Sequence, residues 1–166
     1  SLGNLSGLAY GVDFEMIDGN KFNADKAYKD SKLCNILFAK ELINRLKKKN
    51  ISIPVIAWAP GLVISRDSQG FFRYSRKYNQ LGQMLFSSLA RDVLRITTSN
   101  EKAGILLSDL VCSYKYNKSY FSYYSNKLIS PGKFVFEETN ISDEAQKVGL
   151  SNKLWELSKF LIDNKT

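Results

Sequence analysis

The chain contains no histidine and only two cysteines, Cys34 and Cys112, among its 166 residues. Without histidine, Ser-His-Asp and Cys-His nucleophilic catalysis and most catalytic zinc sites are excluded. The two cysteines are far apart and lack the spacing of metal ligands, which favours free thiols in a reducing compartment. Any proton transfer must therefore use tyrosine, lysine, aspartate, glutamate or cysteine.

Long apolar runs, a secretory signal and a glycine-rich phosphate loop are lacking as well. No stretch approaches the ~20 apolar residues of a membrane-spanning helix. The chain begins with Ser1 rather than methionine, so we expect the true N-terminus to lie upstream. A dinucleotide site needs a glycine-rich loop after an early strand. We therefore interpret residues 1–166 as a single partial domain that lacks the N-terminal, cofactor-binding half of its fold.

Positive charge is in excess, with a formal net charge of +8. Such a charge favours acidic partners: nucleotide phosphates, nucleic acid or an anionic membrane surface. The run Lys47–Lys49 falls at a predicted helix C-terminus, where cations complement the helix dipole without a further partner. Nucleic-acid binding is the weakest option, because basic and aromatic residues coincide in one segment only and no recognised motif is present.

Apolar periodicity predicts an α/β layer fold. A helix over 25–49 precedes a buried strand over 51–58, which the turn Ala59-Pro60-Gly61 closes. The remaining predictions are one or two amphipathic helices with a basic face over 66–96, a helix over 100–111, a strand over 119–124, a loop over 125–131 and a final helix from Ser142 to Leu161. The segment 66–98 is a candidate helical lid over an apolar substrate; packing on the sheet and membrane-surface contact are the alternatives.

Tyr28 and Lys32 stand four residues apart at the start of the first predicted helix. This spacing separates their side chains by about 40° of rotation, so they share one face. Six further residues fall on the same side of the helix, and several of them form the apolar stripe that must face a core: Asn35, Ile36, Ala39, Leu42, Ile43 and Leu46. A lysine ammonium beside a phenol favours phenolate, which suits the phenol to proton donation. By spacing alone, a partly buried tyrosine beside a solvated lysine is the better explanation of the pair, and the motif described next is what favours a catalytic role.

The pair Tyr28-x-x-x-Lys32, followed one helix and one strand later by Pro60-Gly61, resembles the short-chain dehydrogenase/reductase pattern. More narrowly, the chain is similar to the C-terminal half of the light-dependent protochlorophyllide reductases. The residues that carry this resemblance are 2–8, 16–19, 27–35, 101–104 and 154–158. It implies the C-terminal portion of a Rossmann-like doubly wound fold, and NADPH-dependent, light-driven reduction in chlorophyll biosynthesis. It also implies a plastid or thylakoid-associated location, with a cytoplasmic one as the alternative.

The resemblance also implies roles for single residues. Tyr28 would donate a proton to the pigment double bond, while Lys32 would hold the nicotinamide ribose of NADPH and favour ionisation of Tyr28. The nicotinamide and phosphate end of the cofactor would be lined by Pro60, Gly61, Val63 and Ser65. The substrate, protochlorophyllide or a similar apolar molecule, would lie near Cys34, Leu62 and Tyr123. Helix counting places Cys34 off the Tyr28 face, so a structural role is equally open for it.

The sequence departs from this family at three places. Leu62 replaces a family cysteine, Ala59 replaces a tyrosine, and Tyr123 and Tyr124 stand where tryptophans are usual. We expect the chain alone to hold NADPH poorly. The alternatives are another short-chain reductase with an apolar substrate, and a non-catalytic module that binds pigment or a membrane surface. Peripheral membrane contact and homo-oligomer formation stay open, and no metal is expected.

Overall fold

The computed structural model describes residues 24–64 and 78–164. The predictions for residues 1–23, for Ser65 and for the first part of the 66–98 segment lie outside this range. Within it the helices are α1 (Ala24–Lys48), α2 (Gln80–Ser88), α3 (Asn100–Cys112), α4 (Asp143–Gln146) and α5 (Leu150–Asp163). The strands are β1 (Ile56–Ala59), β2 (Leu62–Val63), β3 (Thr97–Thr98), β4 (Ser122–Ser130) and β5 (Lys133–Glu138). A π-helical turn, Leu89–Val93, follows α2, and a 3-10 turn spans Tyr114–Tyr116.

These elements form an α/β fold with two sheets in the described part of the chain. One sheet has the strand order β1-β4-β5, and the other pairs β2 with β3 in parallel. The chain divides into two compact units. Of the described residues, the first unit comprises 24–58, 117–123 and 138–164, and the second comprises 59–64, 78–116 and 124–137.

The first unit is built on the packing of α1 against α5 and α4. Leu33 and Leu37 are completely buried in this core. Phe38 stacks on Trp155 with ring centroids 5.3 Å apart. The guanidinium of Arg45 lies 4.6 Å from the Trp155 ring centroid and pairs with Glu156 at 2.6 Å. An aromatic stack and a charged pair therefore join the C-terminal half of α1 to α5.

The second unit carries the parallel pair and the β4–β5 hairpin. Leu62 pairs with Thr97 and Val63 with Thr98. Ser99 is the N-cap of α3, because its hydroxyl accepts a hydrogen bond from the Lys102 N–H. Three rings from the 3-10 turn and both hairpin strands form an aromatic cluster: Tyr116, Tyr124 and Phe136.

Several predicted boundaries are wrong. Strand β1 begins at Ile56 rather than Ile51, and Ile51 and Ile53 are exposed; Pro54, which cannot donate to a ladder, precedes it. The loop predicted over 125–131 is instead the continuation of β4 to Ser130 and its turn into β5. The final helix is broken between Gln146 and Leu150, where Gly149 has φ +80°. The predictions of α1, α3 and the Ser142 cap are confirmed.

Candidate active-site residues

Tyr28 and Lys32 come together on the first turns of α1. The Lys32 Nζ lies 5.3 Å from the centroid of the Tyr28 ring, within the range of a cation–π contact. Both side chains are half-buried, at the edge of a stripe that includes the fully buried Leu33 and Leu37. Asn35, which was predicted to lie on the same side of the helix, is exposed. The pair thus joins the core on one side and reaches solvent on the other.

Local contacts hold this end of α1. The Ser31 hydroxyl donates to the Tyr28 carbonyl at 2.7 Å. The Lys26 ammonium pairs with the Asp30 carboxylate at 2.5 Å, and Asp30 is buried. These contacts join residues three or four positions apart, which is the spacing of neighbours on a helix. The placement of Tyr28 and Lys32 therefore follows from the helix itself.

Cys34 is half-buried and lies one helical turn after Asp30 on α1. Burial, with the nearby Asp30 carboxylate as a smaller cause, raises the pKa of the Cys34 thiol to about 11. A thiol in such surroundings stays protonated near neutral pH and is a poor nucleophile. Cys34 can therefore offer an apolar, uncharged surface but little thiolate chemistry.

Pro60 and Gly61 form the two-residue connection between β1 and β2, which is called the Pro60–Gly61 turn below. Gly61 has φ +84°, and a Cβ at this position would lie 3.2 Å from the Asn126 carbonyl oxygen. The backbone therefore requires glycine both for its conformation and for its close approach to β4. Leu62 and Val63, which follow in β2, are half-buried.

Asn126 holds this turn, and the sequence predictions missed it. Its side-chain amide donates to the Pro60 carbonyl at 3.1 Å and to the Thr98 hydroxyl at 2.9 Å. Asn126 and Thr98 are both buried. Asparagine is common in loops, and the sequence predicts a loop over 125–131, so residue 126 carried no sign of burial. Its contacts with Pro60 and Thr98 become visible only once residue 126 is placed in strand β4.

Tyr123 is buried in the first unit beside an open cavity of about 330 Å³. Its carbonyl accepts a hydrogen bond from the Thr139 N–H at 2.8 Å. The cavity is lined by Phe121, Tyr123, Glu138, Thr139, Asn140, Ile141 and Gln146.

The predicted site residues are divided between the two units. The first unit contains Tyr28, Lys32, Cys34 and Tyr123, and the second contains Pro60, Gly61, Leu62 and Val63.

Two further properties of the described residues bear on function. In residues 24–64 and 78–164, no group of three or more acidic, cysteine or histidine side chains is placed to bind a metal. Over the same residues, no helix has the length and apolar character to cross a bilayer.

Comparison with known proteins finds relatives that are named protochlorophyllide reductases. Protochlorophyllide reductase B, chloroplastic, from Oryza sativa subsp. japonica is 33% identical over 168 residues, covering 98% of this chain and 38% of that protein. Protochlorophyllide reductase, chloroplastic, from Marchantia paleacea is 33% identical, covering 97% of this chain and 33% of that protein. Protochlorophyllide reductase A, chloroplastic, from Arabidopsis thaliana is 31% identical, covering 98% of this chain and 38% of that protein. No family model matches. The chain thus spans little more than a third of the relatives it matches, in their C-terminal part.

Proposed function

The chain belongs to the protochlorophyllide reductases, and from this we propose that it supplies the proton-donating part of an enzyme that reduces protochlorophyllide to chlorophyllide with NADPH and light. The observation that carries the proposal is the Tyr28–Lys32 pair, whose ammonium lies 5.3 Å from the phenol ring centroid on a solvent-reaching face of α1. The relatives' names support the substrate, and their plastid location supports a plastid-associated enzyme.

The chemistry of the available groups suits NADPH. A lysine ammonium and a tyrosine hydroxyl are donors that can bond ribose hydroxyls. Gly61 is exposed, so a flat ring can approach the side of its backbone that does not face Asn126. In this proposal Lys32 would hold the nicotinamide ribose, and the nicotinamide and phosphate end would be lined by Pro60, Gly61, Val63 and Ser65. NADPH, when bound, supplies the hydride.

The chain's own residues complete the reduction of the double bond. The Tyr28 hydroxyl breaks its O–H bond and donates the proton to the carbon next to the one that receives hydride. The phenolate that remains is stabilised by the neighbouring Lys32 ammonium and regains its proton from solvent. Leu62 and the neutral Cys34 thiol would contact the apolar substrate, with Tyr123 as a further candidate contact. The chain by itself would hold NADPH poorly, because its sequence has no glycine-rich phosphate loop.

The test uses the native polypeptide that contains these residues, at the length found in its source cells. Purified protein is mixed with NADPH and protochlorophyllide and either illuminated or kept dark, and chlorophyllide is measured by its absorbance. Product only after illumination supports the proposal. Turnover of an apolar carbonyl substrate in the dark would instead support a different short-chain reductase, and no NADPH-dependent product in either condition would contradict both.

A second candidate function is non-catalytic binding to an apolar surface. Helix α2 and its π-helical turn expose Leu81, Met84, Leu85 and Val93, each more than two-thirds exposed, and Arg91 lies on the same segment. Co-sedimentation with anionic vesicles, without NADPH, tests this role. Binding that weakens with salt would support an electrostatic membrane contact.

A further inference from the structure

Asn126 uses its whole donor capacity on two distant parts of the second unit. A side-chain amide carries two N–H groups, and the Nδ2 atom contacts both the Pro60 carbonyl at 3.1 Å and the Thr98 hydroxyl at 2.9 Å. Thr98 is paired with Val63 across the parallel strands β2 and β3. The single amide therefore connects β4 to Pro60, which precedes Gly61, and to β3, which pairs with β2 after Gly61.

The backbone of Asn126 constrains the same turn. A Cβ on Gly61 would lie 3.2 Å from the Asn126 carbonyl oxygen and 3.7 Å from the Thr98 hydroxyl oxygen. The turn thus packs directly on the main chain and the side chain of Asn126, with Gly61 at φ +84°. Few backbone arrangements satisfy these contacts together, so the turn is held in one conformation.

Asparagine at this position has both a cost and a gain, since an apolar side chain would leave the Pro60 carbonyl and the Thr98 hydroxyl without the amide as a partner. A buried amide loses its hydration, which an apolar side chain in the same strand would avoid. Its hydrogen bonds recover this loss only when both are formed. Asparagine at this site is best explained by a need to fix the direction of the Pro60 carbonyl and the Gly61 backbone.

We propose that Asn126 is a positioning residue, which holds the Pro60–Gly61 turn in the conformation that receives the nicotinamide end of NADPH. This inference rests on the proposed function, because that function assigns the turn to the cofactor. Asn126 acts through the turn and need not touch the cofactor or the pigment. Its substitution should therefore affect cofactor binding selectively.

The deciding variant is Asn126→Asp in the native polypeptide, because it keeps the side-chain shape and replaces the donor by an acceptor. The dissociation constants for NADPH and for protochlorophyllide are measured separately, by nicotinamide fluorescence and by pigment absorbance. We expect the NADPH constant to rise about tenfold, as for the loss of a buried hydrogen bond with repulsion of the Pro60 carbonyl. The pigment constant should change less than twofold.

The matched control is Asn117→Asp, which makes the same change at an exposed asparagine and should leave both constants unaltered. An unchanged NADPH constant in Asn126→Asp, or an equal loss for both ligands, would overturn the inference while leaving the proposed function intact. Wild-type protein that binds no NADPH would overturn both. If Asn126→Asp does not fold, Thr98→Val decides: it removes one acceptor and should raise the NADPH constant about threefold, and no change would refute the positioning role.

Discussion

The start of α1 and the Pro60–Gly61 turn reach their conformations in opposite ways. At the start of α1, Tyr28, Lys32 and their neighbours interact across three or four residues. At the turn, Pro60 depends on Asn126, which is 66 positions further along the chain. The first arrangement is a property of helix geometry, whereas the second exists only when the second unit is folded.

This difference determines how each region should respond to substitution. Half-buried side chains on a helix surface can be changed at little cost in stability, because few neighbours depend on them. A turn with positive φ, packed against a neighbouring backbone, has no room for change. Substitutions at Tyr28 should therefore alter chemistry without unfolding, and substitutions at Gly61 should reduce stability first.

The largest expected effect is the loss of turnover in Tyr28→Phe. Removal of the phenol O–H removes the proposed proton donor, and the loss of a general acid lowers rates by about 10²-fold or more. Turnover is measured with NADPH, pigment and light, and the melting temperature is measured in parallel. Tyr114→Phe is the control, since Tyr114 is 91% exposed and should be neutral. Normal turnover by Tyr28→Phe would remove Tyr28 from the mechanism.

Next in size is the contrast between Gly61→Ala and Gly104→Ala. A methyl group at Gly61 meets the Asn126 carbonyl with φ at +84°, so we expect a loss of about 1–3 kcal/mol in the free energy of unfolding. Gly104 lies inside α3 with nothing within 4 Å of its Cβ position, so alanine should add about 0.5–1 kcal/mol. Urea unfolding of both variants tests this, and equal effects would show that the turn tolerates a side chain.

The same difference explains what the sequence could and could not predict. The helix carrying Tyr28 and Lys32 was predicted within one residue at each end, because apolar spacing and a lysine-rich end are local signals. Strand β5 was not predicted, and Asn126 was assigned to a loop. A polar residue buried by contacts with Pro60 and Thr98 carries no local sign of burial, so its position becomes visible only in the folded unit.

A smaller effect is expected in the labelling of Cys34. A pKa of about 11 leaves about a hundredfold less thiolate at pH 8 than a pKa of 9, and the greater reactivity of a more basic thiolate offsets part of this. Iodoacetamide should therefore label Cys34 roughly tenfold more slowly than the exposed Cys112, compared in Cys112→Ser and Cys34→Ser variants.

The pH dependence gives an independent check on Cys34. Its labelling rate should rise with pH up to about 11. Because the folded state disfavours the Cys34 thiolate, the contribution of this thiol to stability should be constant below about pH 9 and decrease between about pH 9 and 11. Equal labelling rates for Cys34 and Cys112 at pH 8 would mean that α1 opens around Cys34. The start of α1 would then not be held by helix geometry alone, which would weaken its contrast with the Pro60–Gly61 turn.

The smallest expected effect is the difference in coupling energy between a residue pair at the Pro60–Gly61 turn and a pair at the start of α1. Two double-mutant cycles on the free energy of unfolding measure it. The buried hydrogen bond between Asn126 and Thr98 should give a coupling energy of about 1 kcal/mol with Asn126→Ala and Thr98→Val. The half-buried pair of Tyr28 and Lys32 should give about 0.5 kcal/mol or less with Tyr28→Leu and Lys32→Met. The first pair is buried, whereas both members of the second are half-buried and the lysine ammonium can also be solvated. A larger coupling on α1 than at the turn would reverse the comparison and make the helix end the more rigid of the two regions.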